Sequence, residues 1–285
     1  MTVDTALQQS AKRLTQKSRS NFYFSFLFLP KVKREAIYSV YAFCRHSDDI
    51  ADQSLSPEER AEQLKAWRQR LDACYEGSAE TPVMQSLFET VERYRIPKEY
   101  LDDLINGVEM DLTHTRYETF DDLYPYCYRV ASVVGLICIE IFGYENPDSR
   151  KFAEYLGVAL QLTNILRDIS TDAKQDRIYV PLEDLRRFHL SEDDLLQGRC
   201  SDAFVEMMAF QVERAESYYQ KAVEMLPRQD RSNMIAAEIM GAIYHRLLDR
   251  IRAANYDVFA HTIAIPDWKK FLIAFELWLR SKVRR

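Results

Sequence analysis

Glycine and proline are scarce in this chain, and their scarcity limits how often the backbone can turn. Only 7 Gly and 9 Pro occur among 285 residues, well below their average usage. Apolar side chains instead recur every three or four residues over long segments, which is the period of an amphipathic helix. We therefore predict an all-α protein that forms one domain over residues 1–285. No repeat, low-complexity tract or linker divides the sequence.

Charge and cysteine usage restrict the class of protein. The formal net charge is -6, whereas nucleic-acid-binding domains carry a basic surface, so we expect no nucleic-acid partner. The cysteines are odd in number and lack metal-type spacing, which predicts buried free thiols in a reducing cytoplasm. They are Cys44, Cys74, Cys127, Cys138 and Cys200. The N-terminus lacks the apolar core of a signal peptide, and no apolar run is long enough to predict a membrane-spanning helix.

Three segments have a distinctive helical pattern. Residues 4–20 are predicted to form a polar, basic helix. The segment 120–142 is predicted to be a helix whose second half is apolar almost all round, as in the centre of a bundle. Residues 268–285 combine aromatic and aliphatic side chains with several Lys and Arg. For this last segment we predict a helix that closes the core, and a helix lying on a membrane surface is the alternative.

Polar side chains form a row along an otherwise apolar helix near residue 165. With about 100° of rotation per residue, Gln161, Asn164, Asp168 and Asp172 fall within an arc of roughly 60°. Burial of a bare carboxylate is costly unless a cation or hydrogen bonds compensate for it. The row is therefore a solvated helix edge, a buried ion-pair network or a metal site, and its spacing alone does not distinguish these.

A second row of the same kind lies earlier in the chain. Tyr41, Arg45, Asp48 and Asp52 also fall within about 60° on a helical wheel, and Asp49 lies outside that arc. Two Asp-x-x-x-Asp rows on two helices are much less expected by chance than one. The pair favours a functional site over a solvated edge. Glu109 and Asp111, by contrast, are predicted to be ordinary exposed acids.

Rows of carboxylate and amide oxygens suit a hard cation such as Mg²⁺, which completes its shell with water and substrate phosphates. Two facing rows would hold a diphosphate through bridging metal ions, and nearby arginines would neutralise the remaining charge. A diphosphate with an apolar tail fits such a mouth above a hydrocarbon-lined interior.

Three rival classes use similar elements. A di-iron bundle needs Glu-x-x-His pairs, which the chain lacks. A head-to-tail prenyl chain elongator or a terpene cyclase would share the acidic rows, although the residues around the rows argue against both. A helical scaffold with solvated acidic edges is the non-enzymatic interpretation.

Four segments resemble the squalene and phytoene synthase family: 41–52, 126–135, 160–168 and 177–181. The resemblance extends from about residue 18 to residue 256 and implies an isoprenoid-synthase bundle with a central cavity, which joins two prenyl diphosphates head to head. It implies Mg²⁺, with Mn²⁺ as a substitute, on five ligands: Asp48, Asp52, Asn164, Asp168 and Asp172. It implies six further residues at the diphosphate or the reaction centre: Tyr41, Arg45, Tyr128, Gln161, Arg167 and Tyr244.

The sequence also departs from the family pattern at two positions. Thr171 stands where an extra acid is frequent, and Asn21 replaces the serine of a Ser-Phe-Tyr motif. The Asn21 variant, together with the segments 107–112 and 116–117, most resembles the bacterial enzymes that make presqualene diphosphate from two farnesyl diphosphates without NADPH. Phytoene synthesis from two geranylgeranyl diphosphates, or a complete squalene or dehydrosqualene synthesis, is the alternative. Partner enzymes of the same pathway and a peripheral contact with the inner membrane face are further expectations.

Overall fold

A computed structural model describes residues 21–283, which form thirteen α-helices and one π-helical turn. The helices are α1 Asn21–Phe26, α2 Lys31–Ala51, α3 Pro57–Tyr75, α4 Pro82–Tyr94, α5 Lys98–Thr113, α6 Phe120–Cys127, α7 Val133–Phe142, α8 Asp148–Ala173, α9 Leu182–Arg187, α10 Glu192–Leu196, α11 Asp202–Met225, α12 Ile235–Ala253 and α13 Asp267–Val283. The π turn, Tyr128–Ser132, joins α6 to α7. The described range contains no strand, which confirms the all-α prediction.

Polar caps begin several of these helices. At the start of α3, the Ser56 hydroxyl accepts from the backbone N–H of Glu59, and the Glu59 carboxylate accepts from that of Ser56. Pro57 follows at the first helical position, where its missing N–H has no intrahelical partner to lose. α4 ends at Arg95, whose backbone is left-handed with φ 51°. Such local signals set the ends of the helices, and packing of their apolar faces sets their arrangement.

The segment 120–142 is continuous, as predicted, and lies in the centre of the bundle. Its π turn packs against α5, α6 and α8, and its second half supplies buried Val133, Ile137 and Ile141. By length and composition this segment meets the requirements for crossing a membrane, contrary to the sequence-based expectation, but 56% of its most apolar window is buried within the protein. Its apolar character is thus accounted for by packing.

Helix α8 packs against α7, α11, α12 and the π turn. Gly157 permits its close approach to that turn, because a Cβ there would lie 2.4 Å from the Cα of Ser132. The Ser132 hydroxyl donates to the Glu154 carbonyl at 2.7 Å, which joins the two segments at the same level. This contact fixes α8, and hence the row of polar side chains on it, relative to the central helix.

The remaining sequence-based expectations have mixed outcomes. The predicted helix at 268–285 is present as α13, with Ala274 fully buried in the core. All five cysteines are free thiols, as expected, but Cys200 is exposed and Cys44 and Cys138 are half-buried. The predicted helix at 4–20 lies outside the described residues.

Candidate active site

A cavity of about 550 Å³ lies in the middle of the bundle, and both polar rows contribute to it. Its wall is mostly apolar and comes from α1, α2, α5, the central helix, α8 and α12. Polar side chains gather towards the C-terminal ends of α2, α5 and α8, which we call the mouth. Seven of the eleven predicted site residues line the cavity: Tyr41, Arg45, Asp48, Gln161, Asn164, Arg167 and Tyr244.

The row on α2 begins at the apolar wall and ends at the mouth. The ring of Tyr41 packs against Phe22 with centroids 5.9 Å apart. One turn later, Arg45 pairs with Asp49 at 2.6 Å and not with Asp48. The Asp48 side chain is exposed at the mouth, yet the protein around it raises its pKa to about 7 through burial, despite the opposing charge of Arg45.

The row on α8 contains a polar atom without a partner. The Asn164 amide donates to the Gln161 side-chain oxygen at 3.2 Å, while the Asn164 Oδ1 atom is buried and accepts no hydrogen bond. Arg167 forms two bonds to Asp168, at 2.8 and 2.5 Å, and also bonds to the Tyr244 side chain. A buried acceptor without a donor is costly, so Asn164 Oδ1 is available to a cation or another donor.

Asp172 lies in the last turn of α8, beside Arg177 and Tyr179. Its pKa is raised to about 7, chiefly by burial and then by the neighbouring Asp168 carboxylate, while Arg177 opposes both effects. Asp52 is the C-cap of α2, and its negative charge contributes to the raised pKa of Asp48. Asp52, Asp168 and Asp172 are therefore at the mouth but not in the cavity wall.

One more carboxylate in the mouth, on a third helix, was missed by the sequence analysis. Asp111 is not an ordinary exposed acid: it lines the cavity and accepts from Tyr179 at 2.8 Å and from Tyr126 at 3.2 Å. Arg177 donates to its backbone carbonyl at 3.3 Å. Burial raises the pKa of Asp111, although the bond from Tyr179 opposes this. One signal was present: Asp111 continues the apolar stripe of α5, three residues after buried Val108. Glu109, by comparison, pairs with Arg68 at 3.2 Å.

Tyr128 is not brought to the cavity, and Tyr126 is found there instead. Tyr128 begins the π turn, and its hydroxyl is near Tyr100, Asp103 and Glu154, away from the aspartate rows. The two tyrosines are two residues apart, and at about 100° per residue they project to different sides of the central helix. Tyr128 thus lies outside the cavity wall and its predicted role stays a prediction, while Tyr126 lines the cavity and Tyr179 bonds to Asp111 beside it.

The donor set of the mouth fits a hard divalent cation. The two rows and Asp111 offer carboxylate, amide and hydroxyl oxygens, as Mg²⁺ prefers, and Asn164 Oδ1 is buried without a donor among the described residues. In the described residues no group of three or more His, Cys, Asp or Glu is already close enough to hold a metal ion. Mg²⁺ usually completes its shell with water and substrate oxygens, and the residues predicted to hold it are Asp48 and Asp52 on one row and Asn164, Asp168 and Asp172 on the other.

Comparisons with known proteins identify the relatives of this chain. The family model described as squalene/phytoene synthase matches residues 15–269. The chain is 36% identical to a 15-cis-phytoene synthase of Synechococcus elongatus, covering 96% of this chain and 93% of that one. Among solved structures, a squalene synthase HpnC from Alicyclobacillus acidocaldarius has TM-score 0.81 and 29% identity over 88% of this chain and 95% of that one. A dehydrosqualene synthase has TM-score 0.87 and 28% identity over 98% of both chains.

Proposed function

Because this chain belongs to the squalene/phytoene synthase family of prenyltransferases, we propose that it joins two farnesyl diphosphates head to head into presqualene diphosphate. The observation that carries this choice of substrate is the aromatic floor of the cavity. Phe26 and Phe142 pack there with centroids 6.4 Å apart, and Phe22 packs on Phe26 at 5.9 Å. All three rings line the cavity, so they limit the length of the hydrocarbon tail below the mouth.

The reaction joins the two substrates and releases one diphosphate. The C1–O bond of the first farnesyl diphosphate breaks, and diphosphate leaves with the electron pair. The C2=C3 double bond of the second substrate attacks the resulting allylic cation at C1. This leaves a cation at C3 of the second substrate, and loss of one proton from C1 of the first, now bonded to C2 of the second, closes the cyclopropane ring onto C3. The product retains one diphosphate group, and no reductant is consumed.

The side chains of the mouth would bind the departing group. Arg45 and Arg167 line the cavity, and each would exchange its adjacent aspartate for diphosphate oxygens, with which a guanidinium forms two parallel bonds. Bound Mg²⁺ would supply positive charge that stabilises the leaving diphosphate. Asp111, fixed by Tyr126 and Tyr179, would orient the polar groups between the two rows. The ion would be held by the five predicted ligands: Asp48, Asp52, Asn164, Asp168 and Asp172.

The deeper wall would protect the cation from water. Tyr41 and Gln161 lie where the polar mouth meets the apolar wall, and Tyr244 is buried next to Arg167. Exclusion of water prevents capture of a reactive intermediate, and aromatic faces stabilise positive charge. Below them an apolar surface for the two tails is completed by Val130, Val134 and Leu160.

Phytoene synthesis from two geranylgeranyl diphosphates is the second candidate. A specific observation favours it, since the curated relatives above 30% identity include phytoene synthases that match nearly the whole chain. The aromatic floor favours the shorter tail, and the two candidates differ in both substrate and product.

Analysis of the reaction products distinguishes the two candidate functions. Purified protein would be incubated with Mg²⁺ and radiolabelled farnesyl or geranylgeranyl diphosphate, each with and without NADPH. We expect presqualene diphosphate from farnesyl diphosphate, in equal yield with and without NADPH. Phytoene as the main product would establish the second candidate, and squalene formed only with NADPH would show that the reaction continues through a reduction. Diphosphate release without a coupled product would refute both.

A further inference from the structure

Helix α13 buries one side against the bundle and leaves a large apolar face uncovered. Ala274 and Lys270 are buried. On the opposite side, five large apolar side chains are 39–61% exposed: Trp268, Phe271, Leu272, Phe275 and Leu279. They lie within an arc of roughly 100°. Only four other large apolar residues are exposed in the described part of the chain, and none of those is aromatic. We call these five residues the α13 face.

The exposed rings continue onto the segment that precedes α2. Phe28 stacks on Trp278 with centroids 5.1 Å apart and packs against Phe271 and Phe275 at 6.4 Å each. The rings of Phe271 and Phe275 are themselves nearly parallel, 9° apart. The result is a contiguous aromatic patch fixed by its own contacts, and a patch of that kind on a protein surface marks an interaction site.

The segment that carries this patch is basic in an otherwise acidic protein, and two of its lysines lie at the patch itself. Residues 268–285 contain six Lys and Arg and one acidic residue, whereas the whole chain has a net charge of -6. Lys269 lies over the Trp268 ring at 5.3 Å and Lys282 over the Trp278 ring at 5.7 Å. Aromatic side chains flanked by cations are the composition of helices that lie in the interface of an anionic membrane.

The α13 face is also close to the apolar end of the cavity. Lys270 lines the cavity from α13 and lies over the Phe24 ring at 5.5 Å. Phe26, two residues after Phe24, forms part of the floor with Phe142. The aromatic segment 22–28 therefore separates the hydrocarbon cavity on one side from the exposed patch on the other.

We propose that the α13 face, together with Phe28, seats the protein on a bilayer that contains anionic lipids. A second copy of the chain fits less well, because a symmetric contact places the same surface on both partners and would bring the two basic segments together. Binding to lipid does not depend on the proposed reaction. If that reaction is correct, the bilayer would receive the hydrocarbon tails of the product close to the floor of the cavity.

Vesicle co-sedimentation of the full-length protein tests this proposal. We expect binding to vesicles of phosphatidylglycerol and phosphatidylcholine, weaker binding at higher ionic strength, and much weaker binding to phosphatidylcholine alone. The double variant Trp268→Ser/Leu272→Ser should lower the partition coefficient at least tenfold, because it removes the two most exposed apolar groups of the face. Lys269→Gln/Lys282→Gln should lower it about fivefold for each charge removed.

A matched control removes two exposed apolar residues elsewhere. Val223 and Met225, at the end of α11, are 65% and 39% exposed, and Val223→Ser/Met225→Ser should bind as the parent does. Equal loss in both apolar variants, or no binding of the parent to anionic vesicles, would refute the proposal. Light scattering provides a further test. If the parent protein does not bind vesicles but forms concentration-dependent dimers, and Trp268→Ser/Leu272→Ser abolishes those dimers, the α13 face is a contact with a second copy of the chain. If thermal melts show that Trp268→Ser/Leu272→Ser misfolds, the vesicle binding of Lys269→Gln/Lys282→Gln tests the proposal by itself.

Discussion

Asp172 and Asp230 both lie where a helix gives way to a loop, yet their carboxylates have opposite surroundings. Asp230 is fully buried and accepts from the backbone N–H groups of Glu145 and Asn146 and from the Ser149 hydroxyl, at 2.6–3.0 Å. Burial would raise its pKa, but these bonds outweigh that effect and lower it. Asp172 lies beside the Asp168 carboxylate, and its pKa is raised to about 7.

These opposite surroundings distinguish a carboxylate that stabilises the fold from one that is available to a ligand. Donors of the fold itself satisfy Asp230, which joins the loop after α11 to the start of α8. The mouth instead gathers acids that raise one another's pKa, and its arginines pair with adjacent acids. A carboxylate that accepts few hydrogen bonds from the protein is available to bind a cation.

Among substitutions in the mouth, Asp48→Asn should have the largest effect on activity. We expect product formation to fall about 10²–10³-fold, because a metal ligand contributes several kcal/mol to stabilising the leaving group. The melting temperature should stay the same or rise, since the ionised carboxylate is unfavourable there. Steady-state assays at saturating Mg²⁺, with melting curves, measure both. Full activity in the variant would remove Asp48 from the site.

Asp230→Asn should instead lower stability and leave activity unchanged. Loss of a charged acceptor for three donors should lower the free energy of unfolding by about 2 kcal/mol, with kcat/KM of the folded enzyme unchanged. Urea titrations followed by circular dichroism give the first quantity and initial rates the second. A variant as stable as the parent would show that these bonds are dispensable.

The mouth carboxylates and the structural carboxylate Asp230 should also contribute to stability in opposite pH ranges. Asp48 and Asp172 have raised pKa values near 7, so protons compete with Mg²⁺ as the pH falls, and the apparent affinity for Mg²⁺ should weaken about fivefold between pH 7 and pH 6 for each proton displaced. Their contribution to folding is present at low pH and is lost as the pH rises through 7. The lowered pKa of Asp230 contributes stability that is lost only below about pH 4. Magnesium titrations and urea melts across pH 3–8 would measure these effects, and a flat magnesium affinity from pH 6 to 8 would contradict the first expectation.

Tyr126→Phe and Tyr128→Phe form a matched pair with a smaller expected effect. The first removes a donor to Asp111 and should lower kcat/KM about tenfold, the size of one hydrogen bond to a charged group. Tyr128→Phe changes a residue outside the cavity and should leave kcat/KM within twofold of the parent. A larger loss in Tyr128→Phe than in Tyr126→Phe would return the catalytic assignment to Tyr128.

Helical periodicity was sufficient to predict much of this arrangement. The all-α class, the central helix and α13 follow from local patterns. Both polar rows were predicted, and the structure brings seven of the predicted site residues to one cavity, where their roles remain predictions. Asp111 was missed because its bonds come from Tyr126 and Tyr179, on segments that periodicity within α5 cannot reveal. The pairing of Arg45 with Asp49 and of Arg167 with Asp168 was missed because helical wheels describe faces and not the reach of side chains.

The π turn at Tyr128–Ser132 has a consequence for helical phase. A π turn holds one residue more than the α-helical turn it replaces, so it rotates α6 relative to α7 by about 100° compared with an uninterrupted α-helix. Deletion of a single residue between 128 and 132 would restore the uninterrupted phase. It would turn Tyr126 away from Asp111, and the mouth would lose a tyrosine through a change in winding alone.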